Sequence, residues 1–376
     1  MQSQHQPLTL RRRDALLGLA GLGLSLASGR LRAAPAGSDS TLYDRAIVID
    51  AQGGFGAGAN WKEEIRNSGV TAVSVTMGDV GNGPDRFDLV MRDIAQYSTF
   101  CANHPDLLMV ALTADDLAIA KKTKRLAVIL NLQDSNPLES DLDRVGLLKK
   151  AGIRTIQITY NLRNLAGDGS LEPANAGLSK WGRQVLSALE SNKILVDISH
   201  GGRRTMLETA QAAERPLTIS HTGCRALVDV PRNADDEVMR EVAQKGGVVG
   251  FYFMPFLRQP GTGMAQSRDL LTHIEHALNV CGEDHIGIGT DGEISATALD
   301  DKARAAQKEF FEDRQAKGIA APGEGPDIFN IVEDYNMPRR LEKLAFDLSR
   351  KGWRDGRIEK LLGANFVRLY HEVWRS

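Results

Sequence analysis

Ile194-Leu195-Val196-Asp197-Ile198-Ser199-His200 is followed, one helix-length later, by Pro216-Leu217-Thr218-Ile219-Ser220-His221. Each stretch is a short apolar, β-branched run closed by Ser-His. With a helix-like segment between them, they read as consecutive parallel strands of a βαβ unit. The C-termini of such strands converge on one face, which sets His200 and His221 side by side. Adjacent imidazoles at that place suit a pair of metal ligands. The plainer alternative is two hydrogen-bonded histidines at a barrel rim, but repetition of the pattern on consecutive strands favours a site.

Outward from this pair the same rhythm continues. From Leu42 on, short apolar runs alternate with longer amphipathic ones. Candidate strands cover residues 46–50, 70–76, 126–132, 153–159, 194–198, 217–220, 248–253 and 286–289. Helical patterns fall at 140–151, 182–191, 235–245 and 270–280, and residues 337–374 read as wholly helical. Eight parallel strands fit an α/β fold of the (β/α)₈, TIM-like kind, in one domain over residues 41–376 with a C-terminal helical part. A doubly wound open sheet is the runner-up, but no Gly-rich phosphate turn follows the first strand. Two stretches break the rhythm. Residues 78–84 form a Gly/Asn/Asp/Pro loop expected to line the barrel mouth. Residues 294–327 are polar and charged, and read equally as a helical excursion or a mobile lid.

The strand C-termini hold the candidate site. The first gives Asp50-Ala51-Gln52-Gly53-Gly54, the third Asn131-Leu132-Gln133-Asp134, the fourth Thr159-Tyr160-Asn161 and the eighth Gly289-Thr290-Asp291. Asp291 follows a Gly-Ile-Gly run whose small residues let the chain approach the centre. A carboxylate there suits proton transfer or metal binding, or equally the N-cap of a following helix. Arg232, after the sixth strand, suits a bidentate clamp for a substrate carboxylate, or an ordinary solvated loop arginine.

These motifs, Val196-Asp197-Ile198-Ser199-His200, Ile219-Ser220-His221-Thr222, Pro231-Arg232-Asn233-Ala234-Asp235-Asp236, Gly246-Gly247-Val248-Val249 and His285-Ile286-Gly287-Ile288-Gly289-Thr290-Asp291, resemble the membrane (renal) dipeptidase family. Gly177-Leu178-Ser179-Lys180-Trp181-Gly182-Arg183 matches too, and the likeness runs from about Ala46 onward. The resemblance implies a distorted (β/α)₈ barrel and a binuclear zinc metallopeptidase that hydrolyses dipeptides. It implies that His200 and His221 serve one metal, that Arg232 holds the substrate carboxylate, and that Asp291 serves the second metal and proton transfer.

The chain also departs from that family. The family's His-x-Asp after the first strand falls on Gln52 and Gly54. Its bridging Glu falls on Gln133, and a substrate-contacting His falls on Tyr160. Two divalent cations about 3.5–4 Å apart repel by roughly 17–19 kcal/mol at an effective dielectric near 20. Neutral Gln and Gly do not offset this, so at most one tightly bound ion, zinc or another divalent metal, is expected, on His200 and His221 with Asp291 as a candidate third ligand.

The chain of 376 residues carries a net charge of −2 and three scattered cysteines, Cys101, Cys224 and Cys281. That balance offers no electrostatic case for nucleic acid, and the cysteines form neither a metal spacing nor a disulfide framework. Residues 1–36 read as an export signal. Arg11-Arg12-Arg13 precedes a Gly/Ala/Leu-rich stretch too short for a stable membrane span, then Ala33-Ala34-Pro35-Ala36. The arginines point to the twin-arginine (Tat) export machinery rather than an ordinary Sec signal, hence to a periplasmic or otherwise exported protein. Two functions remain in view. The first is an exported metal-dependent hydrolase acting on a small peptide-like substrate. The second is a non-hydrolytic relative that binds or tailors such a molecule.

Overall fold

Leu126–Leu132 is buried at all seven positions. A strand covered on both faces, by helices outside and by its own barrel inside, has no solvent side to mark with polar residues. The computed structural model describes residues 38–375 apart from 57 and 84, so the proposed export signal lies outside the described residues. Eight parallel strands follow one another: β1 Ile49–Asp50, β2 Ala72–Thr76, β3 Leu126–Leu132, β4 Ile153–Gln157, β5 Leu195–Asp197, β6 Thr218–Thr222, β7 Val248–Phe251 and β8 Ile286–Ile288. Ala51 N–H donates to Ile288 O at 2.9 Å and draws the last strand to the first, so the barrel is nearly closed. Beyond that contact, Gly53–Gly54 and Gly292–Glu293 form a small parallel pair in register, Gly292 with Gly53 and Glu293 with Gly54.

All eight strands expected from the sequence are present, most of them shorter. The first begins at Ile49 rather than at 46, three residues after the end of a helix, Ser38–Arg45. Besides the small Gly53–Gly54 and Gly292–Glu293 pair, one strand of the main sheet escaped the sequence reading. Leu108–Val110 pairs with the first half of β3, where β4 has not yet begun its own pairing. The 294–327 stretch contains a helix, Asp301–Ala316.

Alternate residues of each strand share a face, and the inward face changes character along the barrel. At the bottom, Ile49, Ala72, Ala127, Ile129, Leu195 and Val248 pack against Phe366, Leu369, Tyr370, Val373 and Trp374 of the last helix, Asn365–Trp374. A Cβ at Gly287 would collide with the Phe366 ring, so this position admits no side chain. Two residues further up the same face stand Ser74, Asn131 and Asp197, all buried. An apolar plug below and a polar layer above carry the functional groups towards the mouth. No helix among the described residues is long and apolar enough to cross a membrane.

Candidate active site

His200 and His221 leave β5 and β6 at the mouth, as their spacing predicts, and their Nε2 atoms stand 2.9 Å apart. The hydrogen bonds around them assign both tautomers. Ser220 Oγ donates its only proton to Asp197 Oδ2 at 2.5 Å, so the Ser220 contact to His221 Nδ1 at 2.7 Å is a donation from the ring. Asn161 Nδ2 donates to Ile319 O at 2.8 Å, which leaves Oδ1 to accept from His200 Nδ1 at 2.6 Å. With both Nδ1 atoms as donors, both Nε2 atoms present lone pairs, the tautomer a metal ligand needs. Two lone pairs this close repel unless a proton or a metal ion lies between them.

Asp197 is the anchor beneath. Its Oδ1 accepts from Ser199 N, Ser199 Oγ and Ser220 N at 2.9, 2.7 and 3.1 Å. Burial nevertheless raises its pKa above the ordinary carboxylate value, the serine donors offsetting only part of the desolvation. His200 itself has φ +63°, a left-handed conformation rare for a side chain with a Cβ, and Asp291 has φ +56°. Strained backbone persists where the surroundings over-determine it, and both instances fall at strand ends of the site.

Arg232 is 4% exposed, which removes the solvated-arginine reading. Its Nη2 donates to His200 Nε2 at 3.0 Å, and its guanidinium lies 5.8 Å from the Tyr252 ring centre. The Tyr160 ring stacks on His200, centres 4.1 Å apart and 25° between planes. His200, His221, Arg232 and Tyr160 therefore form one cluster. Asp291 caps no helix, since the next one starts at Asp301 with Asp300 as its cap. It is tied instead to the first strand end, its N–H donating to Gln52 O at 2.7 Å.

Gln52 and Gly54 after β1 and Gln133 after β3 are neutral residues. Gln52 Nε2 donates to Thr76 Oγ1 at 3.1 Å, and its Oε1 accepts from Asn131 Nδ2 at 3.2 Å. Asn131 Nδ2 also donates to Ser74 Oγ at 2.8 Å, and Thr76 Oγ1 donates to Asn131 Oδ1 at 3.2 Å. Gln133 is buried, and its main-chain oxygen accepts from Gln157 Nε2 at 2.8 Å. The Gln52–Thr76–Asn131 part of this network is uncharged and offers a divalent cation no anionic ligand. Among the described residues, no group of three or more His, Cys, Asp and Glu side chains is placed to hold a metal ion. The two Nε2 lone pairs are donors of the kind a cation takes. Below the network, burial pushes Asp50 up to about 6, although Thr290 N and Oγ1 donate to it at 2.7 and 2.5 Å.

Sequence reasoning missed two groups. Glu293, paired with Gly54, places its Oε1 3.5 Å from where a Gly54 Cβ would stand, so a carboxylate sits beside that position. Arg314, from the Asp301–Ala316 helix, donates to Tyr160 Oη at 3.2 Å. Neither carries a local sequence signal, because each acts across more than a hundred residues of chain.

The profile of the membrane dipeptidases, peptidase family M19, matches residues 62–305. A Klebsiella pneumoniae protein from the pqqA 5' region is 25% identical over 78% of this chain and 98% of its own length. An uncharacterized dipeptidase of Schizosaccharomyces pombe is 26% identical over 55% of this chain, which spans only 50% of that relative. The crystal structure of an amidohydrolase from Pseudomonas aeruginosa superposes with TM-score 0.79 at 27% identity, covering 90% of this chain and 99% of its own. The strand-end histidines thus stand in a barrel of known lineage: the chain belongs to the membrane dipeptidase family, peptidase family M19.

Proposed function

We propose that this protein is an exported dipeptidase-like hydrolase that acts on a small peptide-like molecule through a centre with no more than one divalent cation. The observation that carries this reading is the convergence of two Nε2 lone pairs at 2.9 Å, each set by a donor bond at Nδ1, next to the buried Arg232. His200 and His221 would hold such a cation through their Nε2 atoms, and it would supply Lewis acidity there. Arg232 turns its guanidinium from His200 to the substrate carboxylate, a charge-assisted bond of the stronger kind. Asp291, at the rim of the eighth strand, takes or returns a proton. Tyr160 gives the ligand a flat wall beside His200.

The second reading, a protein that binds or tailors a peptide-like molecule without hydrolysing it, is favoured by the neutral Gln52–Thr76–Asn131 network. One experiment separates the two. Protein recovered from the periplasm is analysed for metal and incubated with a panel of dipeptides, while calorimetry records binding. Turnover with one ion or fewer per chain supports the first reading. Binding without turnover supports the second.

A further inference from the structure

We propose that Arg340 is a positioning residue of the barrel mouth: it is the counter-ion of Asp50, and the Asp50 carboxylate holds Thr290 and so aims Asp291. The inference rests on the place given to Asp291 in the proposed function, and its test reads backbone order rather than turnover.

Two arginines stand side by side at the start of the helix Arg340–Arg350, and the fold treats them oppositely. Arg339 turns outward to Asp44 and Glu342. Arg340 turns inward and is 5% exposed, and its Nη2 is buried without a hydrogen-bond partner. Its guanidinium lies 5.7 Å from the Phe253 ring centre. A cation so deeply buried persists only where an anion compensates it. Asp50, itself 1% exposed, is that anion. The two line one cavity of about 10 Å³, room for about one water molecule, together with Tyr43, Ser68 and Ile294. Burial pushes Asp50 up to about 6, against the pull of the Thr290 bonds and of Arg340. Burial likewise depresses Arg340, and Asp50 opposes this more than Glu293 does.

Asp50 in turn is a clamp. Its Oδ1 accepts from Thr290 N at 2.7 Å and from Gln52 N at 3.4 Å, and its Oδ2 accepts from Thr290 Oγ1 at 2.5 Å. The Thr290 hydroxyl gives its one proton to this bond, and the same oxygen accepts from Gly292 N at 3.3 Å. Thr290 and Gly292 flank Asp291, so that residue is braced on both sides. Its own N–H donates to Gln52 O at 2.7 Å, and its φ is +56°. A non-glycine residue keeps a left-handed conformation only where its neighbours impose it. Both Thr290 donors converge on Asp50 because an ionised carboxylate accepts on both oxygens. An amide in its place presents a donor of its own and cannot take both bonds. A Cβ at Gly53 would stand 2.6 Å from Asp50 Oδ2, so the clamp also needs the bare backbone there.

The test measures hydrogen–deuterium exchange of the Thr290, Asp291 and Gly292 amides in the full-length protein, resolved by fragmentation mass spectrometry. The variants are Arg340→Met, Arg340→Lys, Asp50→Asn and the Arg340→Met/Asp50→Asn double. Arg340→Met keeps a long side chain and drops the charge; exchange at the three amides is expected to quicken by about tenfold, with the Leu126–Leu132 amides unchanged. Arg340→Lys returns a charge without the guanidinium plane and is expected to stay within about threefold of the parent. Asp50→Asn is expected to quicken the same amides. The double is expected to be no faster than the faster single, because the cation acts only through the anion. Equal losses in Arg340→Met and Arg340→Lys, or additive losses in the double, overturn the counter-ion role. Unchanged exchange at Thr290, Asp291 and Gly292 in Asp50→Asn overturns the clamp. Where Arg340→Met alone does not fold, the double decides: a folded double supports the pairing, since no buried anion is left uncompensated, and an unfolded one overturns it. None of these outcomes depends on whether a dipeptide is hydrolysed, so the hydrolase reading stands or falls separately.

Discussion

Restoring the family's ligand types is the most demanding test of the metal argument, and the structure alters how it is to be done. The substitutions are Gln52→His, Gly54→Asp and Gln133→Glu, singly and together. Gln52→His removes two hydrogen bonds, to Thr76 and from Asn131, at a cost of about 1 kcal/mol each. Gly54→Asp brings a carboxylate against Glu293, whose Oε1 lies 3.5 Å from the new Cβ. Two like charges near 4 Å repel by about 1 kcal/mol in water and about 4 kcal/mol at an effective dielectric of 20. Both positions are half-buried, so the metal-free triple variant is expected to be less stable than the Gln52→His/Gln133→Glu double by a value between those limits. The double already has Glu293 beside position 54 and is expected to take up a second ion as fully as the triple. No single change is expected to suffice, because Gln133→Glu alone brings a charge without the imidazole ligand and Gln52→His alone brings a ligand without a charge. Elemental analysis after gel filtration counts the ions, urea unfolding with and without zinc gives the stabilities, and a dipeptide assay records the expected gain of activity. A double variant with one ion beside a triple with two refutes the stand-in role of Glu293. A parent protein that holds two zinc ions and turns over dipeptides rapidly refutes the premise.

Other outcomes follow from the same structure. Arg12→Lys with Arg13→Lys is expected to leave the protein out of the periplasm, read by cell fractionation; undiminished delivery rules out the twin-arginine route. His200→Ala with His221→Ala is expected to abolish whatever metal the purified parent contains, and retained metal places the ion elsewhere. Arg232→Ala is expected to weaken binding of dipeptides with a free C-terminal carboxylate by roughly 10- to 150-fold, the equivalent of about 1.5–3 kcal/mol, and to leave C-terminally amidated analogues unaffected. Asp50 has a folded pKa raised to about 6 from 3.8. Its protonated form is favoured on folding, so that stabilisation is complete below about pH 4 and lost as pH rises through about 6. Asp50→Asn is therefore expected to be more favourable, relative to the parent, at pH 7 than at pH 4 by up to about 3 kcal/mol, measured by urea unfolding at both; a pH-independent difference refutes the assignment.

How much was legible depended on distance along the chain. Leu126–Leu132 was read to the residue, because an unbroken apolar run between turn signals has one use in a parallel barrel. The His200–His221 contact was legible for a related reason, since a βαβ unit places the ends of consecutive strands together. The strand Leu108–Val110 was not, because it is three residues long and its pairing with β3 begins where that of β4 has not. Arg232 could not be told from a solvated arginine until its burial was known.

The sequence by itself determined the barrel, its lineage, the paired histidines and the neutral residues Gln52, Gly54 and Gln133, because these depend on residue type and on spacing within one or two βα units. Only the tertiary structure decided what surrounds those neutral residues and what holds the histidines. The Gln52–Asn131 bond joins residues 79 apart, the Asn161–Ile319 bond residues 158 apart, and Thr290 reaches Asp50 across 240. Such contacts exist only once the strands have closed into a ring and the segment after the eighth strand has packed against it. The tautomer of a histidine is then fixed by whichever donor or acceptor that closure brings to its Nδ1, and no local pattern in the chain encodes that choice.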